Sequence, residues 1–116
     1  MPVKLNREAL EHAHKLIDDG SYIINTAWKT AQPNDKEENA YLDKHSEADY
    51  AKWFLAVDTD EKEGSKARHK FPYGDFRKVH QSGLVALRQR AAQNDYEDIY
   101  EAASELLDIF DRMNAC

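Results

Sequence analysis

Cysteine is almost missing from this chain. Cys116 is the only one, so no disulfide can form within a single copy. Glycine is scarce as well, with four residues in 116, and neither a Walker A loop nor Gly-x-Gly-x-x-Gly occurs among them. The usual glycine-rich cradles for nucleotide phosphates are therefore excluded. Leu, Ile, Val and Phe total only 22 residues, about 19%, near the level at which high charge goes with disorder. No apolar run approaches the ~20 residues that span a bilayer. Residues 1–7 lack the apolar stretch of a secretory signal. No serine sits in a Gly-x-Ser-x-Gly elbow, which removes the best-known nucleophile motif. These absences set the first expectations: a cytoplasmic chain with no membrane contact, no cofactor and no catalytic function.

What is present is charge, unevenly spread. The whole chain carries −6, yet residues 66–90 hold Lys66, Arg68, Lys70, Arg77, Lys78, Arg88 and Arg90 against the single acid Asp75, a net of +6. Directly downstream, residues 95–111 hold seven acids and no Lys or Arg. Such asymmetry either attracts an anionic partner or lets one part of the chain neutralise another. Six Tyr and two Trp make up for the thin aliphatic content, because aromatics bury the most apolar area per residue. One folded domain over residues 1–116 is expected, with a mobile acidic loop at 58–65 and a frayed C-terminus.

Capping and periodicity place the elements. Asn6 as N-cap and Gly20 as stop bracket a helix whose Leu5, Ala9, Ala13, Leu16 and Ile17 form an apolar stripe. Residues 21–28 are rich in β-branched and aromatic side chains without clean alternation, which predicts an extended segment or short strand. Pro33 with Asn34 or Asp35 opens a helix over roughly 35–44. Ser46 and Asp49 have capping-box spacing and predict a third helix carrying Tyr50, Trp53 and Phe54. Pro72 keeps Phe71 out of the right-handed helical region and Gly74 is free to take positive φ. Asp75 is then expected to cap a long helix over 76–92. Tyr96, Ile99, Tyr100, Ala103, Leu106, Leu107, Phe110 and Met113 follow the i, i+3, i+4, i+7 rule. The short break at Gln93-Asn94 makes the last two helices antiparallel neighbours. The expected fold class is mainly α: four to five helices ending in an antiparallel hairpin, with room for one short β-hairpin of residues 53–57 and 67–71.

Metal chemistry finds little support. Asp58 and Asp60 begin an EF-hand loop, but Lys62, Glu63 and His69 stand where a ligand, a glycine and the bidentate glutamate belong. His45-Ser46-Glu47 matches half of a zinc deaminase signature whose cysteine half is absent. His12 and His14, two apart on a helix, point in different directions. No metal site is expected. Two surfaces remain. Trp28, Tyr50, Trp53 and Tyr73 are candidate anchors for a protein partner, since Trp and Tyr are favoured at interfaces. The block Lys66, Arg68, Lys70, Arg77, Lys78, Arg88 and Arg90, interleaved with Phe71, Tyr73 and Phe76, is a candidate nucleic-acid surface pairing charge with base stacking.

The segments Tyr50–Asp58, Lys66–His80 and Arg90–Gln93 resemble a block of small bacterial proteins and of modules attached to some phage-type proteins. In these a Lys-aromatic-Pro turn precedes a helix ending near Arg-Ala-x-Gln. The resemblance implies a small, mostly helical, stand-alone domain of mobile-element or phage ancestry, and it supplies no catalytic residues. The expected function is a non-enzymatic interaction module binding a protein partner, as a monomer or weak homodimer. Nucleic-acid association through residues 66–90 is the alternative.

Overall fold

The computed structural model describes residues 3–113, so the expectations for Cys116 and for a frayed C-terminus lie outside the described residues. Strand β1 (Val3–Leu5) leads into helix α1 (Arg7–Asp18) through Asn6. The Asn6 side-chain oxygen accepts the Ala9 N–H at 3.3 Å, and its amide donates to the Ala51 carbonyl at 3.1 Å. One side chain thus caps the first turn and ties it to a segment 45 residues away. Ala9, Ala13 and Ile17 form the buried face of α1, and Gly20 at φ +80° ends it. Strand β2 (Tyr22–Ile23) and the single turn α2 (Trp28–Ala31) follow.

Helix α3 (Asp35–Lys44) opens on a reciprocal capping box. Asn34 Oδ1 accepts the Glu37 N–H at 2.9 Å, and Glu37 Oε1 accepts the Asn34 N–H at 3.3 Å. Helix α4 (Glu47–Ala51) is capped by Ser46 and runs into strand β3 (Phe54–Asp58). Past the exposed acidic loop, a 3₁₀ turn at Lys66–Arg68 leads to strand β4 (His69–Pro72). Strand β5 (Val79–His80) then enters helix α5 (Gln81–Gln93), and α6 (Glu97–Met113) closes the chain.

The architecture corrects the mainly α expectation. Among the described residues it is a mixture of six α-helices with a three-stranded antiparallel sheet, order β1-β3-β4, and a two-stranded parallel sheet of β2 and β5. The hairpin expected from residues 53–57 and 67–71 pairs as β3 and β4, at 54–58 and 69–72, with Phe54 opposite Pro72 and Val57 opposite His69, but β3 is the centre of a larger sheet, not one arm of an isolated hairpin. The helix read across Tyr50, Trp53 and Phe54 stops at Ala51. Phe54, Leu55 and Ala56 are all buried, and a strand with partners on both edges can bury consecutive residues where a surface helix cannot.

The helix read over 76–92 begins only at Gln81. Asp75 caps no helix; its Oδ1 accepts the backbone N–H of Arg77 at 3.0 Å and of Lys78 at 2.8 Å, closing a tight turn. Phe76 takes φ +69°, and Val79 is drawn into register with Tyr22. Gly74 does not use positive φ. It is glycine because a Cβ there would lie 2.5 Å from the Lys78 carbonyl and 2.7 Å from the Trp53 ring. Helices α5 and α6 pack along each other, as their short connection requires, and with α1 they cover the sheet. Leu84, Leu87, Ile99, Ala103, Leu106 and Phe110 supply much of the buried core.

Candidate interaction groove

The four candidate anchors separate on burial. Tyr50, Trp53 and Tyr73 are 1%, 5% and 0% exposed, so their rings belong to the core. Their polar ends are also engaged. The Tyr73 hydroxyl donates to the Lys52 carbonyl at 2.5 Å and lies 2.9 Å from His12 Nδ1. Trp53 Nε1 donates to the Tyr41 hydroxyl at 3.3 Å. Burial, together with the Glu38 carboxylate beside it, raises the pKa of Tyr50. A partner can reach none of the three without unfolding the sheet.

Trp28 is different. It stands at the start of α2, half-buried, with its ring against Gly83 of α5. A Cβ at Gly83 would meet that ring at 2.9 Å, so the absence of a side chain lets α2 lie flat on α5. A groove of about 430 Å³ runs between α2, β4 and α5. Trp28, Phe71, Pro72 and Leu87 form its apolar floor and wall; Lys29 and Arg90 stand at its rim with three glutamines. Among the described residues, no carboxylate lines it. Lys29 and Gln32 carry no sequence signal of their own, and only their place on the turn beside Trp28 brings them here. A second hollow of about 510 Å³ lies on the other side of α2, where Tyr41 is stacked between His45 at 4.0 Å and Phe76 at 4.6 Å. Its charges are mixed: Glu37 and Asp75 stand with Lys44 and Arg77.

A half-buried polar chain holds the groove's framework. Asp75 Oδ2 lies 3.0 Å from His80 Nε2, His80 Nδ1 lies 3.0 Å from Thr26 Oγ1, and Thr26 Oγ1 lies 3.0 Å from Ser82 Oγ. Burial would raise the Asp75 pKa, but hydrogen bonds from His80 and from the Lys78 and Arg77 N–H groups outweigh it, and the net shift is downward. The order carboxylate–imidazole–hydroxyl has the grammar of a proton relay. Only its carboxylate end reaches a hollow, however: Asp75 lines the second one, whereas none of Thr26, His80 and Ser82 lines either. What the chain does is join the loop before α2, the Asp75 turn and the first turn of α5, which sets the position of Trp28.

The basic block splits in two. Lys66 serves the fold: its Nζ lies 3.4 Å from Asp35, 3.3 Å from Glu38 and 3.2 Å from Asn39 Oδ1. Arg68 donates to the Glu61 carbonyl at 3.0 Å and so ties down the acidic loop. Among the described residues, Lys70, Arg77, Lys78, Arg88 and Arg90 make no ion pair, and none links α5 to α6. Arg77, Lys78 and Arg90 are exposed, whereas Lys70 and Arg88 are half-buried. Of the partner aromatics for stacking, Tyr73 is buried, Phe76 lies on Tyr41, and Phe71 is in the groove wall. Among the described residues no group of three or more His, Cys, Asp or Glu gathers as a metal site, and no helix is long and apolar enough to cross a membrane.

Fold and site together define a small mixed α/β module with one apolar, cation-rimmed groove. No family model, no curated protein and no solved structure matches this chain.

Proposed function

We propose that the protein is a non-enzymatic interaction module that takes an acidic, aromatic-bearing segment of a protein partner into the groove between α2, β4 and α5. The carrying observation is the groove's chemistry: Trp28, Phe71 and Leu87 offer apolar contact, Lys29 and Arg90 offer positive charge, and among the described residues no carboxylate opposes an anion there. An aromatic anchor desolvated in such a groove supplies affinity, and the rim cations supply orientation and association rate. The free cations Arg77, Lys78 and Arg90 favour nucleic-acid association as a second reading. The chain's overall charge of −6 and the burial of Tyr73 count against it.

Fluorescence anisotropy with a labelled random Glu–Tyr copolymer, a Glu-only polymer and single-stranded DNA tests the choice. The copolymer should bind with a Kd on the order of 10–100 µM at near-physiological salt, and the Glu-only polymer more weakly. Lys29→Glu with Arg90→Glu should weaken copolymer binding at least about tenfold. DNA binding tighter than copolymer binding, falling steeply with salt, would put the second reading first.

A further inference from the structure

We infer that the groove's occupant is a second copy of this chain, which inserts Tyr100 and the acidic face of its own α6; this rests on the groove reading above. Tyr100 is 41% exposed, and of the twelve aromatic residues, all described, it is the only one in the exposed class. It sits beside the exposed acids Glu97 and Glu101. Of the acids on α6, Asp98 accepts the Leu5 N–H and Glu105 lies 3.2 Å from His14; Glu97, Glu101 and Asp108 make no ion pair among the described residues. The exposed face of α6 therefore carries what the groove lacks: an aromatic side chain ringed by carboxylates.

The two complementary surfaces cannot satisfy each other inside one molecule. Arg90 faces the groove on the α2 side of α5, and no ion pair crosses from α5 to α6. They are nonetheless close neighbours. Phe71 in the groove wall meets Tyr96 edge-on at 6.0 Å, and Tyr96 with Tyr100 lines a small hollow of about 180 Å³ at the start of α6. Anchor and groove thus lie at the same end of the molecule. That is the arrangement an isologous two-fold contact needs, with each copy giving its Tyr100 and receiving its partner's. A closed pair results in place of an open chain.

Sedimentation velocity over a concentration series tests this. The wild-type protein should pass from monomer to dimer with a midpoint on the order of 100 µM. Tyr100→Ser should raise that midpoint about tenfold or more. So should charge reversal of the groove (Lys29→Glu with Arg90→Glu), and so should reversal of the helix (Glu97→Lys with Glu101→Lys); all four positions are exposed, so these variants keep the fold. Mixing the two reversed proteins one to one should restore dimers, since one contact regains opposite charges and the other is native. A monomer at every concentration, or a dimer indifferent to these reversals, overturns the inference. Copolymer binding by that monomer would leave the groove reading standing, and its absence would remove both.

Discussion

His69 sits on β4 with both ring nitrogens buried and without a hydrogen-bond partner. The Tyr50 ring lies edge-on at 5.3 Å, the Phe54 ring lies at 5.9 Å, and the Glu47 and Arg68 charges act on it from α4 and the 3₁₀ turn. Burial dominates and lowers its pKa, so the folded protein holds it neutral where the unfolded chain would protonate. A lowered histidine pKa means that the unfolded state binds more protons below about pH 6.5, so stability is complete above that value and falls as the pH drops toward the folded pKa. His12, half-buried beside Tyr73 and near Lys52 and Lys15, acts with the same sign. His69→Phe should flatten the dependence of unfolding free energy on pH by up to ~1.4 kcal/mol per pH unit below about pH 6.5, and leave His12's share. Urea titrations at a series of pH values read this directly. Parallel curves for variant and wild type would mean that His69 is not held neutral.

The elements divide by how local their causes are. Helices α1, α3 and α6 are legible because Asn6, Asn34 and the apolar stripe from Ile99 to Phe110 act within a few residues. Strands β1, β2 and β5 are two or three residues long, too short for an alternating pattern; β2 falls within the segment 21–28 read as extended or a short strand, whereas β1 and β5 show only where distant partners meet them. Asp75 misleads for the same reason. Its carboxylate looks like a helix cap, but His80 and two backbone N–H groups claim it for a turn. Burial of Tyr73 follows from contact with His12, 61 residues away, which no local pattern reports. Of the groove, the sequence marks Trp28, Phe71 and Arg90 by type alone; their convergence depends on α2 lying on Gly83. Gly83→Ala tests that packing. Replacing a helical glycine contributes about 0.5–1 kcal/mol in favour of the variant, whereas forcing a methyl against the Trp28 ring costs about 1–3 kcal/mol. A net loss of stability with a red-shifted Trp28 emission is expected. A net gain without a spectral change would show that α2 does not rest on α5.

On the scale of the molecule, charge is separated rather than neutralised. The structure extends 45 × 31 × 24 Å, and among the described residues only the Lys66 side chain of the basic block forms an ion pair. The rest of the block stays apart from the acidic α6, so the molecule shows a cationic groove and an anionic helix to its surroundings. Exposed pairs between α5 and α6 would have been worth roughly 0–1 kcal/mol each, too little to dictate their packing against the apolar contacts of Leu84, Leu87, Leu106 and Phe110. On the proposed reading this unpaired charge meets the partner, and Trp28 is the reporter at the point of contact. The protein has two tryptophans, and their indole N–H signals in a two-dimensional ¹⁵N spectrum separate groove from core. During titration with the Glu–Tyr copolymer, the Trp28 signal should shift progressively while that of Trp53, buried and bonded to Tyr41, stays in place. A stationary Trp28 signal at saturating copolymer would contradict the groove as the binding site.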